Sequence, residues 1–393
     1  MHIFLFYYIA RIMFLQLDLD DLSSLFDLHN FMYFAHTSCK NENEVAMQNQ
    51  NTSNSIGRQS VSLSTPVYIV SSGTVVGKIE GEGPLGSCFD MICDNDKFGQ
   101  DTWEESESQM QKEAAALALG KAGKLGIEQS DIRYIFAGDL LGQNIATSFG
   151  LMQYEIPLFG IYGACSTLGE GLSLASMCLG GSFADSVMVV TSSHFASAEK
   201  QFRFPVEYAN QRPLSATWTV TGSGAYILSR KVTSNVKISG FTTGRIIDYG
   251  IHDAQNMGAA MAPAAADLIE AHLRDFHRKP QDYDRIVTGD LGSVGHEILL
   301  KLLQDKNIDI STQHEDCGML IFDSEKQGTQ AGGSGCGCSA VTLAAHYLPR
   351  LISGKLRRIL FLPTGALLSQ ISFNEGLNVP GIAHGVVLEH VDH

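Results

Sequence analysis

The feature of the sequence that most constrains its fold is an internal repeat. Four short blocks in the first half of the chain recur in the second half, in the same order. One short match carries little weight, but four matches in one order indicate two similar structural units. The 393 residues are also enough for two packed units of common size. The paired blocks are RYIFAGDLLG with DRIVTGDLG, GACSTLGEGLSLASMCL with GGSGCGCSAVTLAAHYL, SVMVVTSSHFAS with RILFLPTGALLS, and GSGAYILSR with GIAHGVVLE.

Each unit reads as strands alternating with helices. The apolar run at 132–138 predicts a buried strand, and the small-residue turns at 163–166 and 332–338 lead into helix-like runs. This alternation predicts an α/β fold, with a first half at 61–235 and a second half at 236–393. A binding site between two such halves would gather loops from both of them.

Residues 1–60 do not follow this pattern, and we predict that they are an extension outside the fold, either disordered or not native. The first 15 residues are apolar, but Arg11 interrupts them, and a membrane-spanning helix needs about 20 apolar residues. Two interpretations stay open: Met47 is the true start, or residues 1–46 contain an amphipathic anchor helix. After residue 46 the sequence contains no convincing membrane-spanning segment.

Composition excludes several classes of partner and site. The net charge of −15 argues against a nucleic-acid or anionic-membrane surface, because phosphate binding needs clusters of lysine and arginine. The eight cysteines form no CxxC pair, and Cys336 and Cys338 stand too close together for ordinary zinc ligation. We therefore predict no metal and no cofactor, and we interpret these two cysteines as small packing residues.

Cys165 is the strongest candidate for a functional residue. It lies in a turn of small residues just before a helix-like run, where backbone N–H groups and the helix dipole favour negative charge. This position suits a thiolate nucleophile, and it equally suits a bound carboxylate. A reacting thiol would also need a base or proton donor facing it.

The repeat and the cysteine turn resemble the thiolase fold, whose members include thiolases and ketoacyl-carrier-protein synthases. With MGAAMAPAAAD and DCGMLI, the blocks more specifically resemble the stage V sporulation protein AD family of spore-formers, from about Ser60 to His390. The resemblance implies a thiolase-like fold of two pseudo-repeated βαβ halves, with sheets layered between helices as αβαβα. Fold-level analogy to that group also implies a homodimer.

The second half lacks the acid–base residues that the resemblance implies for an enzyme. A condensing enzyme would have a His-Gln pair near Gly289 and Asp290, and an asparagine or a Gly-His-Pro in the turn at 332–338. This chain has neither. We therefore predict a non-catalytic binder in which Cys165 is a vestigial nucleophile position.

The resemblance also implies the ligand and the setting. The ligand is dipicolinic acid (pyridine-2,6-dicarboxylate), free or as its calcium chelate, taken up into the developing spore during sporulation. The implied partners are the membrane-embedded stage V sporulation A proteins of the same operon. The chain would associate peripherally with the spore inner membrane, and we expect no nucleic-acid partner.

The predicted ligand-binding residues come from three places. These are the turn at Cys165, the ends of the strands that follow such turns, and the second-half turn at 332–338, where a condensing enzyme would have catalytic residues. For His194 the alternative is a histidine that satisfies its own loop, and for Arg203 it is a salt-bridged loop. The predicted residues are Cys165, Ser166, Thr167, Ser193, His194, Arg203, Gly333, Ser334 and Gly365.

Two other functions stay open at this point. The first is an acyl-transferring or condensing enzyme, with Cys165 as nucleophile and His194 as base. The second is a structural subunit that docks on a membrane complex without binding a ligand.

Overall fold

The computed structural model describes residues 54–202 and 211–392. Ten main strands of these residues form a continuous sheet, five from each half of the chain. The first half contributes β1 (Ser60–Val76), β2 (Ile132–Gly138), β3 (Leu158–Gly160), β4 (Ser186–Ser193) and β5 (Gly222–Ser229). The second half contributes β6 (Val236–Thr243), β7 (Arg285–Thr288), β8 (His314–Asp316), β9 (Arg358–Leu362) and β10 (Gly381–His390).

The two halves have the same strand order and the same strand directions. The order is β3-β2-β4-β5-β1 in the first half and β8-β7-β9-β10-β6 in the second, and β1 pairs antiparallel with β6. In each half the first three strands of that order are parallel, and the remaining pairings are antiparallel. The repeat predicted from the sequence is thus confirmed. Short strands lie at Ser55–Ile56, Met91–Ile92, Trp218–Thr219, Gly333–Ser334 and Thr364–Ala366.

Seven longer helices cover and separate these strands. They are α1 (Trp103–Gly123), α2 (Ile145–Leu151), α3 (Thr167–Gly180), α4 (Phe195–Phe202), α5 (Met257–Asp275), α6 (Gly292–Gln304) and α7 (Cys336–Thr342). A π-helical turn at Leu343–Tyr347 joins α7 to a helix at Leu348–Ile352. Shorter helices lie at Lys78–Gly81, Cys317–Ile321, Ser324–Gln327 and Gln370–Asn374, and single 3₁₀ turns at Gly86–Cys88, Gln129–Asp131, Gly142–Asn144, Met152–Tyr154 and Pro280–Asp282.

The buried apolar side chains form three separate cores, which define five layers. One core packs α1 against an outer face of the first half's strands, and another packs α5 and α6 against an outer face of the second half's strands. The third, in the middle, contains α3, α7 and the inner faces of both sets of strands. Val189 and Val190 show the alternation, since the first belongs to the central core and the second to an outer one. The predicted αβαβα arrangement is confirmed.

Local sequence explains why α1 forms and packs closely. Its N-cap is Thr102, whose hydroxyl accepts a hydrogen bond from the backbone N–H of Glu105 at 3.2 Å, in a capping box. The buried face of α1 carries alanines, and β1 has Gly73 beneath it. A Cβ on Gly73 would overlap the carbonyl oxygen of Ala114, so helix and strand approach closely only with glycine there.

The central helices tie the two halves together. In α3, a Cβ on Gly169 would overlap the backbone carbonyl oxygen of His384 in β10. In α7, a Cβ on Gly337 would overlap that of Gly222 in β5. The central helix of each half therefore packs on the last strand of the other half, and this contact excludes side chains.

The fold begins earlier than the predicted boundary at residue 61, which is a correction. Ser55–Ile56 pairs antiparallel with the first residues of β1, through a turn in which Gly57 has a φ of +59°. The sequence before residue 61 is polar and typical of coil, so it does not indicate this strand. Residues 1–53 lie outside the described part of the chain, so the predictions for them stay predictions. In the part that is described, no helix has the length and apolarity needed to cross a membrane.

We predict that Gly169→Ala lowers the free energy of unfolding by about 1–3 kcal/mol, because the methyl group overpacks the contact with His384. Urea denaturation followed by circular dichroism measures the change. The matched control is Gly120→Ala in α1, where a Cβ meets no atom within 4 Å. That variant should be more stable than wild type by about 0.5–1 kcal/mol. Equal effects of the two substitutions would contradict the packing argument.

Candidate functional site

A cavity lies where loops from both halves meet at Cys165. Most of its walls are apolar, with a few polar groups among them. The lining residues are Leu140, Tyr162, Ala164, Cys165, Ala198, Glu199, Thr219, Ala254, Gln255, Met257, Ser334, Gly335, Ala366, Leu368 and Phe373.

The turn that presents Cys165 is held by its own side chains. The Ser166 hydroxyl donates to the carbonyl of Gly163 at 2.6 Å, and the Thr167 hydroxyl donates to the carbonyl of Ala164 at 2.6 Å. Thr167 also accepts from the Gly163 N–H at 3.1 Å, and Ala164 has a left-handed φ of +50°. Ser166 and Thr167, both predicted as ligand-binding residues, are fully buried and fix the turn.

The second half places predicted residues against this turn. Gly365 lies so close that a Cβ there would overlap the carbonyl oxygen of Gly163. Ser334, which the sequence predicts as a ligand-binding residue, lines the cavity. Its neighbour Gly333 pairs with Trp218 in a two-stranded sheet, and a Cβ on Gly333 would lie 2.7 Å from the Ile321 side chain.

The side chains of Ser193 and His194 form hydrogen bonds with backbone groups of residues that do not line the cavity. The Ser193 hydroxyl donates to the carbonyl of Val220 at 2.7 Å and accepts from the Gly337 N–H at 3.1 Å. Both Ser193 and His194 are buried, and neither lines the cavity.

The ring of His194 satisfies its own loop. Its Nδ1 accepts from the backbone N–H of Ala196 at 3.2 Å, so its Nε2–H donates to the carbonyl of Asp96 at 2.7 Å. Burial lowers the pKa of His194, which keeps the ring neutral. This geometry leaves no ring nitrogen to act as a base on Cys165. The remaining predicted residue, Arg203, lies outside the described residues.

Sequence reasoning missed Asp290, the residue that interacts most directly with Cys165. The Asp290 carboxylate lies beside the Cys165 thiol, and it accepts hydrogen bonds from the Gly335 N–H at 3.0 Å and from the Thr364 hydroxyl at 2.8 Å. Burial raises the pKa of Asp290 to about 7, although these hydrogen bonds act in the opposite direction.

The repeat contained a signal for this residue. Asp290 in the second Gly-Asp-Leu corresponds to Asp139 in the first; Asp139 directly follows β2, and Asp290 stands two residues after β7. Asp139 is bonded within its own half, by the N–H of Leu141 at 2.8 Å and by the N–H and hydroxyl of Thr147 at 2.8 and 2.6 Å. Asp290 is likewise bonded within its own half, by Gly335 and Thr364, and it also lies beside Cys165 of the other half.

The pKa of Cys165 is raised well above its ordinary value, first by burial and then by the charge of Asp290. The nearby Gly335 N–H acts in the opposite direction, but it does not prevail. The expectation from the sequence, that the helix start favours a thiolate, is therefore wrong in this setting. A protonated thiol is a poor nucleophile.

One charged side chain stands among the described residues that line the cavity, and it is part of an ion pair. Glu199 lines the cavity and pairs with Arg212 at 3.3 Å, with both side chains almost fully buried. The Arg212 guanidinium also lies over the rings of Phe195 and Trp218, at 5.7 and 5.3 Å. Within residues 54–202 and 211–392, no lysine or arginine lines the cavity, and no cluster of acidic, histidine or cysteine side chains could hold a metal ion.

Comparison with known proteins identifies close relatives in sequence. A family model described as Stage V sporulation protein AD matches residues 57–389. The chain is also 43% identical over 333 residues to a curated protein named stage V sporulation protein AD, from Bacillus subtilis (strain 168). That match covers 85% of this chain and 97% of the relative.

Solved structures with a similar fold are more distant. One is 3-oxoacyl-[acyl-carrier-protein] synthase III from Aquifex aeolicus VF5, with 14% identity and a TM-score of 0.51, over 82% of this chain and all of that one. Another is the corresponding synthase III from Pseudomonas aeruginosa PAO1, with 12% identity and a TM-score of 0.52, over 83% and 99% of the two chains. At such identities the likeness shows a shared thiolase-like fold alone, and it carries no information about the reaction.

We predict that Cys165 resists alkylation by iodoacetamide at pH 8, while the exposed Cys88 reacts readily. Peptide mapping by mass spectrometry measures both rates in one sample. Asp290→Asn should speed the reaction of Cys165, because it removes the charge that disfavours the thiolate. Alkylation of Cys165 in the wild type as fast as that of Cys88 would contradict this account.

Proposed function

Because the chain belongs to the stage V sporulation protein AD family, we propose that it is a non-catalytic binder of dipicolinate, free or as its calcium chelate. It acts in sporulation, in the uptake of dipicolinate into the developing spore. The observation that carries the proposal is the environment of Cys165. A cavity opens on the Cys165 thiol, whose pKa burial raises well above its ordinary value, and both ring nitrogens of His194 are engaged with backbone groups and cannot serve as its base.

The lining of the cavity suits a flat aromatic ring with polar substituents. Met257, Leu368 and Phe373 offer apolar and aromatic surface for the faces of a pyridine ring. Ser334 provides a hydroxyl group that can donate to a carboxylate oxygen, whereas the Thr219 hydroxyl donates to Glu199 at 3.2 Å. The described lining residues include no lysine or arginine, which also suits calcium dipicolinate, in which the metal offsets the two carboxylates of the ligand.

The proposed setting is the inner membrane of the developing spore, reached through partner proteins. The net charge of −15 disfavours direct attachment to an anionic lipid surface. The proposed partners are therefore the membrane-embedded stage V sporulation A proteins.

We also propose that the chain forms a homodimer through β3. This strand ends the sheet and its residues are exposed, including the apolar Leu158 and Phe159. Phe149 and Met152, just before it in sequence, are exposed as well, at 63% and 67%. An exposed apolar edge strand is a template for pairing with another chain, and a second copy would cover it.

Isothermal calorimetry with dipicolinate should show saturable binding to the wild-type protein. Phe373→Asp should weaken it at least tenfold, because it adds a negative charge at the lining of the cavity. The matched control is Ile371→Asp on the same short helix, where the side chain is exposed at 70% and does not line the cavity. The control should bind with close to wild-type affinity.

Two outcomes would contradict the proposal. No heat at millimolar dipicolinate, with and without calcium, would rule out this ligand. A covalent mass increase on Cys165 after incubation with acyl-coenzyme A, lost in Cys165→Ser, would instead favour an acyl-transferring enzyme.

A further inference from the structure

We infer that the cavity takes dipicolinate as its neutral calcium chelate in preference to the free dianion, and that Gln255 places its side-chain oxygen on the calcium ion. This inference rests on the proposed binding of dipicolinate at this site. It deepens that proposal, because it names the form of the ligand and a residue that distinguishes the two forms.

Gln255 carries a buried polar atom that the protein leaves without a partner. Its side chain lines the cavity, in the segment that leads into α5. The side-chain oxygen Oε1 is shielded from solvent, and no donor of the described chain lies within hydrogen-bond distance of it. Buried polar groups nearly always have a partner, so an exception in the wall of a cavity points to a ligand that supplies one.

The backbone on both sides of Gln255 is held in place. The N–H of Gln255 donates to Oδ1 of Asp253 at 2.8 Å. The side chain of Asn256 accepts from the N–H of Ala259 at 3.3 Å and so caps α5. Gln255 is therefore anchored beside the cavity by a turn before it and a helix after it.

An acceptor at this position suits a ligand that carries a cation. The dipicolinate dianion has only acceptors, namely its ring nitrogen and its carboxylate oxygens, so it has nothing to donate to Oε1 of Gln255. Calcium in proteins takes about six to eight oxygen ligands, and glutamine side-chain oxygens are among them. Dipicolinate chelates the ion through the ring nitrogen and one oxygen of each carboxylate, which leaves about three to five positions for water and protein oxygens.

The charges of the lining favour the same form of the ligand. Among the described residues that line the cavity there is no lysine, arginine or histidine, and the one carboxylate, Glu199, pairs with Arg212. A free dianion would be buried here without a cation of its own to pair with, which is costly. The chelate carries no net charge, because calcium balances the two carboxylates.

Calcium enters this site as part of the ligand and not as a resident ion. Within residues 54–202 and 211–392 no group of three or more acidic, histidine or cysteine side chains could hold a metal ion. A ligand that already chelates the ion needs few oxygens from the protein. Calcium should therefore raise the affinity for dipicolinate, and by linkage dipicolinate should raise the affinity for calcium by the same factor.

The first test is calorimetry of the full-length protein with dipicolinate at neutral pH, once with excess calcium and once with a chelator that removes it. Calcium should lower the Kd of the wild type by roughly tenfold or more. Calcium without dipicolinate should give no saturable heat, because the protein supplies too few ligands by itself.

A pair of variants assigns this effect to one oxygen atom. Gln255→Met keeps the length of the side chain and removes its oxygen. It should raise the Kd of the calcium chelate by roughly tenfold and leave the Kd of free dipicolinate unchanged. The matched control is Gln304→Met, where the side chain is exposed at the end of α6 and does not line the cavity. The control should bind both forms as the wild type does.

Terbium reports the coordination directly. It replaces calcium in the chelate, and dipicolinate sensitises its luminescence. Emission lifetimes in H₂O and in D₂O count the water molecules on the metal. The chelate bound to the wild type should carry one water fewer than the chelate bound to Gln255→Met. Circular dichroism confirms that the variant is folded, and the calcium dependence of the wild type decides the preferred form even if it is not.

The outcomes separate this inference from the proposed function. Equal affinity of the wild type for both forms would overturn the inference and leave the binding function standing. An equal loss of both forms in Gln255→Met would also overturn it, since the amide NH₂ would then contact a carboxylate. An unchanged water count on terbium would do the same. Absence of binding in the wild type, with calcium and without it, would overturn both.

Discussion

The site depends on one contact between the two halves of the chain, in which the Asp290 carboxylate lies beside the Cys165 thiol. The thiol belongs to the turn before α3 in the first half, and the carboxylate follows β7 in the second. Among the described residues no cation compensates this contact, so the charge of Asp290 disfavours the thiolate of Cys165, while burial raises the pKa of Asp290 itself. Cys165 thus lies in a turn of the kind that presents a nucleophile, but its surroundings disfavour the reactive thiolate.

Close packing of backbones holds these two groups in contact. Gly365 leaves room for the cysteine turn, and Gly169 and Gly337 let each central helix pack on the opposite half. A side chain at any of these positions would push the halves apart. The repeat therefore does more than duplicate a structural unit, since it brings the equivalent strand ends of both units to one cavity.

The sequence alone was sufficient for the architecture and for part of the site. The recurring blocks predicted two βαβ halves, and the small-residue turn located Cys165, because both signals are local in the chain. Asp290 was missed because local patterning does not tell which loop of one half meets which turn of the other. The sequence predicts Ser166, Thr167 and His194 as ligand groups, but their side chains form hydrogen bonds with nearby backbone groups. Short-range hydrogen bonds of this kind cannot be read from residue type.

The chain thus combines the fold of condensing enzymes with membership of a sporulation family. The most direct test of its proposed role is a crystal structure of the protein soaked with dipicolinate. We predict one intact ligand in the cavity beside Cys165, with its ring against Leu368 and Phe373 and with no covalent bond to the sulfur. A ligand bound elsewhere with this cavity empty, or a covalent adduct on Cys165, would contradict the account.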